Sequence, residues 1–235
     1  SYATIETTTA RLRIVQGNIP QTLKWDPKEA ETHIQKYKRD LLTLRNMVQI
    51  QIQQHTAVKE IYQQISAQYK KIITTITLDL FDIIGHPSSE DFAIIAFGSL
   101  GNGFASPFSD LEFAILVKDL NQKSYFKAFS ELFHIRVNAL GETPIAYFNI
   151  ESLNWMTPDD GPAERGLRLD PISGNGIVPH GSVEKKLELI GTPKQIAEIF
   201  ATDKDEITAY KRAIFYTYCL IYGNDTLLKE YQRLI

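Results

Sequence analysis

The sequence predicts a mixed α+β fold in which a small sheet is flanked by helical segments. Between Pro27 and Gly85 the chain has no other glycine or proline, and its apolar residues recur at helical spacing. Residues 92–117 then combine two short apolar runs with a glycine-rich turn, which is typical of two strands and their connection. We therefore expect a mainly helical region over residues 1–85, a core containing the sheet over 86–190, and a helical segment over 191–235.

The composition is that of an ordinary globular protein. Of the 235 residues 43% are hydrophobic and 23% are charged, which excludes disorder, collagen and low complexity for most of the chain. The formal net charge of −3 gives no overall attraction to nucleic acid. A single cysteine, Cys219, excludes an internal disulfide and a cysteine-based zinc site, and indicates a buried thiol in a reducing compartment.

The sequence contains no pattern typical of a membrane helix or of a signal peptide. No apolar run reaches the roughly 18 residues of a membrane helix, and the first residues lack the layout of a signal peptide. We therefore expect a soluble, cytoplasmic protein without a membrane partner. The chain starts without Met and stops inside a helical pattern, so we also expect it to be part of a longer protein.

The first helical element has a clear start signal. Residues 1–24 have no period and are interpreted as an extended or poorly ordered lead-in. After them, Asp26 can cap a helix whose first turn accepts Pro27. The pattern to Gly85 fits two helices, or one helix broken near residues 53–56. A short glutamine-rich stretch there alternates like a strand, so the position of the break stays open.

The elements that follow are assigned from local patterns. Phe92 to Phe97 is a continuous apolar run typical of a buried strand, and Leu111 to Val117 is predicted as a second strand after a turn containing Gly98, Gly101 and Gly103. The remaining predictions are a helix over 123–140, a strand over 145–150, a short strand end over 166–170, a helix opened by Thr192-Pro193, and an aromatic-rich helix over 207–222 closed by Gly223.

The chemistry-bearing motif connects the two predicted strands. Phe97-Gly98-Ser99 ends the first strand, and the glycine-rich turn after it would let backbone N–H groups approach an anion. After ten intervening residues come Asp110 and Glu112, which alternate with the apolar Leu111 and Phe113. Residues two apart on a strand point to the same face, so both carboxylates should project together. Oxygen ligands of this kind beside phosphates indicate magnesium.

This arrangement resembles the nucleotidyltransferases of the DNA polymerase beta type. Their pattern is a hydrophobic residue with Gly-Gly or Gly-Ser, a short spacer, and an acidic pair separated by a hydrophobic residue. The sequence from Ser106 to Glu112 is similar to that of one branch of this family, which includes the bacterial signal-protein uridylyltransferase and the glutamine-synthetase adenylyltransferase. The resemblance spans about residues 60–235 and implies the polymerase beta-like mixed sheet.

The resemblance also implies an activity, cofactors and site residues. A nucleoside triphosphate such as ATP or UTP would be clamped by two Mg²⁺ ions, with Mn²⁺ as an alternative. The metal ligands and catalytic residues would be Asp110, Glu112 and a third carboxylate. Asp170 is the preferred third ligand, with Glu151 and Glu142 as rivals. The nucleotide-binding candidates are Gly98, Ser99, Gly101, Ser109, Arg168 and Lys211, with Tyr218 on the same predicted helix as Lys211.

The function can be narrowed further, with one alternative left open. We expect transfer of a nucleoside monophosphate to a protein or small-molecule acceptor, because neither the net charge nor a basic cluster beside the motif favours long nucleic acid. Relatives often have Arg in the loop after Gly-Ser, where this chain has Leu100 to Gly103. Either a cation comes from elsewhere, or the chain is an inactive nucleotide-sensing or interaction module with the same fold.

Overall fold

The computed structural model describes residues 26–140, 180–181, 186–187, 189–202 and 215–235. The helices are α1 (Pro27–Gln53), α2 (Val58–Ile84), α3 (Gly98–Gly101), α4 (Lys123–Ala139), α5 (Pro193–Thr202) and α6 (Asp225–Leu234), with a 3₁₀ turn (Leu120–Gln122) before α4. The strands are β1 (Phe92–Phe97), β2 (Phe113–Val117), β3 (His180–Gly181), β4 (Lys186–Leu187), β5 (Ile190–Gly191) and β6 (Tyr218–Gly223). The described part of the chain is therefore α+β, as predicted.

Helices α1 and α2 form an antiparallel hairpin at the N-terminal side. The carboxylate of Asp26 accepts the N–H of Lys28 at 2.9 Å, which is the predicted cap. The helices are separated at residues 54–57, where His55 has a left-handed φ of 56°. The glutamine-rich stretch is the end of α1 and not a strand. The two predicted helices are thus confirmed, and their apolar stripes are buried, including Tyr37, Leu41, Leu44, Ile65, Tyr69, Ile72, Ile76 and Leu80.

The main sheet has the strand order β5-β2-β1-β6. β1 pairs antiparallel with both β2 and β6, and β5 pairs parallel with β2. Helices cover both faces, since the ring of Phe92 contacts Phe81 of α2 and the ring of Phe97 contacts Tyr231 of α6. Every residue of β1 and β2 is consequently buried, which explains why both strands are continuous apolar runs.

The predicted helix over residues 207–222 is wrong where it reaches β6. Tyr218–Gly223 is a strand that pairs along β1 with a shift in register between Ile94 and Ile95. A short aromatic and aliphatic run satisfies a buried strand as well as a helix, and only pairing with β1 decides between them. Gly223 ends this strand with a φ of 103°, and a Cβ there would lie 2.4 Å from the carbonyl oxygen of Phe92. The segment after residue 191 is therefore not purely helical.

Three other predictions have different outcomes. β2 begins at Phe113, two residues later than predicted, although Leu111 still makes an isolated bridge. The helix opened by Thr192-Pro193 is confirmed as α5, and its first turn is capped by Gln195 and Thr192, which exchange hydrogen bonds of 3.0 and 3.2 Å. The strands predicted over 145–150 and 166–170 lie outside the described residues.

Across the ranges given above, no helix is both long and apolar enough to cross a membrane.

Candidate functional site

The Gly-Ser segment lies where the central strand β1 ends. Gly98 adopts a φ of 59°, a conformation that favours glycine, and directs the chain from β1 into the single turn α3. The N–H of Phe97 donates to the carbonyl oxygen of Glu112 at 2.8 Å. This backbone bond extends the β1–β2 pairing by one step beyond the strands. It brings the Gly-Ser segment and the acidic segment to the same end of the sheet.

Asp110 and Glu112 lie immediately before β2. Both are half-buried, whereas Leu111 and Phe113 are 0% and 2% exposed. The alternation predicted from the sequence therefore holds, even though the regular strand begins only at Phe113. The apolar neighbours are fixed in the core, so both carboxyl groups are directed away from it. Because like charges repel at short range, an adjacent acidic pair of this kind favours a cation.

A network of serine hydroxyls connects the two parts of the motif. The Oγ atoms of Ser99 and Ser109 are 3.1 Å apart, and Ser109 Oγ also accepts the N–H of Ser106 at 2.8 Å. The hydroxyl of Ser106 lies 3.2 Å from that of Ser109 and accepts the N–H of Phe108 at 3.3 Å. Ser109, a predicted nucleotide ligand, is thus placed beside Ser99 and organises the turn that leads to Asp110.

The connecting loop, residues 104–109, is attached to the helical hairpin. The hydroxyl of Tyr69 donates to the carbonyl oxygen of Pro107 at 2.7 Å, and Nε of Arg45 donates to the same oxygen at 3.3 Å. The N–H of Ala105 donates to Oγ of Ser66 at 3.1 Å. The helical region that the sequence separates from the core therefore contributes three contacts to the segment preceding Asp110.

Arg45 places a positive charge on this loop. Its guanidinium carbon lies 4.7 Å from the centre of the Phe108 ring, which is 37% exposed. The turn after Ser99 contains no cation, so Arg45 is a charged group that reaches the motif from another element. No local pattern in the sequence identifies Arg45 or Tyr69 as a contact of the loop, because both belong to long helices with ordinary amphipathic spacing.

Gly101 and Gly103, in the turn after Ser99, are in different surroundings, so glycine is favoured at each for a different reason. A Cβ on Gly101 would lie 2.3 Å from the carbonyl oxygen of Thr217, so the residue preceding β6 packs directly on this position. Gly103 has a φ of 78° and open space around it. Glycine is therefore required at position 101 because the backbone of Thr217 lies so close to it. Its predicted contact with a nucleotide stays a prediction.

The thiol of Cys219 lies beneath α3. Its Sγ is 3.6 Å from the carbonyl oxygen of Leu100. Burial raises the pKa of this thiol, and the positive charge of Lys70 on α2 offsets part of that effect. A thiol with a raised pKa is mostly protonated at neutral pH and is a poor nucleophile. The site chemistry therefore centres on oxygen ligands.

Several predicted site residues cannot be placed against this geometry. Asp170, its rivals Glu151 and Glu142, and the predicted phosphate ligands Arg168 and Lys211 all lie outside the described residues. Tyr218 is described, but it begins β6, and its ring packs against Tyr231 with centroids 5.5 Å apart. Tyr218 is therefore on a strand, and its predicted place on a helix is wrong.

The donor set of the described residues suits magnesium only in part. Asp110 and Glu112 offer carboxylate oxygens, and Mg²⁺ is commonly held by one or two carboxylates together with substrate phosphates and water. No cluster of three or more histidine, cysteine, aspartate or glutamate side chains that could hold a metal occurs in the part of the chain that the structure describes. A fully protein-made metal cage is thus not present there, whereas a two-carboxylate site completed by phosphate is compatible with it.

Part of the chain matches a known protein family. The family model for the N-terminal domain of SidM matches residues 31–141. That domain belongs to a Legionella effector and is related to nucleotidyltransferase-type folds. The matched region runs from α1 through α4 and contains the Gly-Ser segment, the loop and the acidic pair. No curated protein matches the chain.

Proposed function

We propose that the chain is a metal-dependent nucleotidyltransferase, which moves a nucleoside monophosphate from a nucleoside triphosphate to an acceptor hydroxyl. The main support is the placement of Asp110 and Glu112 at the end of the sheet where Gly98-Ser99 leaves β1, with Ser109 in contact with Ser99. The match to the SidM N-terminal domain also supports it, because the matched range, residues 31–141, contains all four motif positions.

The chemistry needs positioning and charge more than a protein nucleophile. Bound Mg²⁺ would supply Lewis-acid activation of the acceptor oxygen and neutralisation of the pyrophosphate leaving group. Asp110 and Glu112 would hold this cation through their carboxylate oxygens, with Asp170 as the proposed third ligand. The acceptor hydroxyl would lose its proton to a carboxylate of the site as its oxygen forms a bond to the α-phosphorus. The bond from that phosphorus to the bridging oxygen would break, and pyrophosphate would leave. No covalent enzyme intermediate is required, which agrees with the buried, protonated thiol of Cys219.

The chain's own groups would orient the triphosphate. Ser99 is half-buried at the start of α3 and presents a hydroxyl beside the turn at Gly98. Its hydroxyl now donates to Ser109 Oγ, and the hydroxyl of Ser109 donates to Ser106. Because a hydroxyl has one donor hydrogen and two acceptor positions, Ser99 would donate to a phosphate oxygen by turning away from Ser109, which could then donate to Ser99 instead of to Ser106. Arg45 would act on this site through the loop, by its contacts with the Phe108 ring and the Pro107 carbonyl oxygen, and not by contact with the triphosphate.

We propose a protein side chain or a small molecule as the acceptor. The loop in front of Asp110 exposes the rings of Phe104 and Phe108, which are 50% and 37% accessible. Apolar aromatic surface of this kind suits a protein better than a phosphate backbone, whose binding depends on clustered basic residues. The net charge of −3 points the same way.

The test is a screen of the four nucleoside triphosphates, each labelled at the α-phosphate, with purified protein, Mg²⁺ and cell lysate. Transfer of label to protein, or to a small molecule, with loss of transfer in Asp110→Asn and Glu112→Gln, is the expected result. Glu230→Gln is the matched control, because Glu230 is exposed on α6. Label that vanishes with nuclease and survives protease would identify an RNA-tailing enzyme instead.

A second function is distinguished by the same screen. If the chain is a nucleotide-sensing or interaction module, nucleotide will bind saturably while no label is transferred to any acceptor. The turn after Ser99 favours this alternative to a degree, because it contains no cation and Gly101 is occupied by packing against Thr217. Binding without transfer in wild-type protein would replace the enzyme proposal.

A further inference from the structure

The two long N-terminal helices converge on one short piece of backbone. Pro107 O accepts hydrogen bonds from Tyr69 of α2 and Arg45 of α1, at 2.7 and 3.3 Å. Ser66 of α2 accepts the N–H of Ala105 at 3.1 Å. The residues joined by these contacts are 38 to 62 positions apart in sequence, and on the loop side all three contacts lie in the short segment 105–107.

The two residues of α2 that hold the loop, Tyr69 and Ser66, are buried. Tyr69 is 1% exposed and Ser66 is 5% exposed, and Ala105 beside them is fully buried. Pro107 itself is half-buried, and a carbonyl that accepts two donors uses both of its lone pairs, so the peptide after Pro107 is constrained in position and in orientation. Phe108, which follows it, is further held by the guanidinium of Arg45 over its ring.

The other side of the loop is tied to the Gly-Ser segment. Ser109 follows Phe108, contacts Ser99 and precedes Asp110. The loop is thus fixed at Pro107 by the hairpin and at Ser109 by the end of β1. The position of Asp110 relative to Ser99 depends on both attachments, because only one residue, Ser109, lies between Phe108 and Asp110.

We infer that Tyr69 and Arg45 are positioning residues, which set the placement of Asp110 through the carbonyl of Pro107. This inference rests on the proposed function, because it assigns the hairpin a role in metal and nucleotide binding. Tyr69 and Arg45 need not touch the substrate. Removing either donor should loosen residues 104–110 and weaken metal binding by the carboxylate, while the helices and sheet remain folded.

The principal variant is Tyr69→Phe, which removes one hydroxyl and keeps the buried ring. Its matched control is Tyr62→Phe, because Tyr62 lies two helical turns earlier on α2 and contacts Phe104 through its ring. Arg45→Ala removes the second donor, and Arg45→Lys retains a positive donor on a chain of similar length. Circular dichroism and thermal unfolding identify a temperature at which every variant is fully folded.

The first readout needs no activity. Amide hydrogen exchange in the metal-free protein should be faster over residues 104–110 in Tyr69→Phe and Arg45→Ala, and unchanged over β1 and in Tyr62→Phe. Loss of one hydrogen bond of ordinary strength corresponds to about a 3- to 10-fold increase in local opening. Exchange over this loop that equals wild type in both variants would overturn the inference.

The second readout connects the tether to Asp110. With Mg²⁺ and a nonhydrolysable nucleoside triphosphate, the Mg²⁺ concentration for half-maximal nucleotide binding should rise about 3- to 10-fold in Tyr69→Phe. Arg45→Lys should restore most of what Arg45→Ala loses. In an Asp110→Asn background, Tyr69→Phe should cause no additional rise, since the carboxylate on which the tether acts is absent.

The outcomes separate the two proposals. If wild type binds and transfers nucleotide but Mg²⁺ dependence is unchanged in Tyr69→Phe, the positioning role is wrong and the proposed function stands. If wild type neither binds nor transfers nucleotide, the proposed function fails and the positioning role fails with it. In that case faster exchange over residues 104–110 would still identify the contacts as purely structural.

Discussion

The hydroxyl oxygens of Ser99 and Ser109 lie 3.1 Å apart and join the two halves of the candidate site. Ser99 follows the turn out of β1, and Ser109 immediately precedes Asp110. Ser109 also accepts the N–H of Ser106 at 2.8 Å, so one side chain organises both the loop and its contact with the strand end. The distance between the Gly98-Ser99 segment and the acidic pair therefore depends on a hydroxyl to which the sequence pattern alone assigns no structural role.

Ser109→Ala tests this connection. The change leaves the N–H of Ser106 without its acceptor and removes the contact with Ser99, so the free energy of unfolding should fall by about 1 kcal/mol. Transfer activity should fall several-fold more than this loss of stability explains, measured where the variant is fully folded. Ser124→Ala is the control, because Ser124 is exposed on α4. An active and unchanged Ser109→Ala protein would remove the hydroxyl network from the account.

Gly101→Ala tests the packing of α3 against the segment before β6. The new methyl group would meet the carbonyl oxygen of Thr217 at 2.3 Å, and backbone on both sides must shift to accept it. We expect a loss of about 2 kcal/mol or more in chemical denaturation. Gly103→Asn should cost less than about 1 kcal/mol, because space is open there and asparagine tolerates the left-handed conformation. Equal stability of Gly101→Ala and wild type would contradict the close approach.

Local patterns in the sequence predict much of the fold because the elements they describe are locally determined. The two long helices, the buried strand β1 and the first turn of α5 follow from periodicity and capping, and all four are present. The alternation of Asp110 and Glu112 with buried neighbours also follows from local pattern. β6 was misassigned because its short apolar run becomes a strand only by pairing with β1, more than a hundred residues earlier.

The contacts that organise the candidate site are long-range and could not be predicted in this way. The bond from Tyr69 to Pro107 joins residues 38 positions apart, and that from Arg45 joins residues 62 apart. In sequence, Tyr69 is one more apolar position of a helical stripe and Arg45 one more polar position. Only the packing of the hairpin against the loop identifies them.

His134 predicts how stability responds to acid. Burial lowers the pKa of this histidine from its ordinary value of about 6.5, so the folded protein keeps the ring neutral while the unfolded chain protonates it. Above pH 6.5 the ring is neutral in both states, so His134 does not reduce the free energy of unfolding. As the pH falls from 6.5 through the lowered pKa of the folded state, this free energy decreases, because protonation favours the unfolded chain. Unfolding free energies measured from pH 7.5 to 5 should decline less steeply in His134→Gln. His55→Gln, at an exposed position between α1 and α2, should keep the wild-type slope.

Parallel assays with triphosphate labelled at the α- or the γ-phosphate test the central claim most directly. The assays use wild-type protein, Asp110→Asn and Glu230→Gln, each with and without Mg²⁺. We predict that α-label passes to an acceptor and γ-label leaves as pyrophosphate, in wild type and Glu230→Gln and only with Mg²⁺. Asp110→Asn should lower this transfer by about a hundredfold or more, as expected when a metal-binding carboxylate is removed. Transfer of γ-label, or undiminished α-label transfer by Asp110→Asn, would contradict the account.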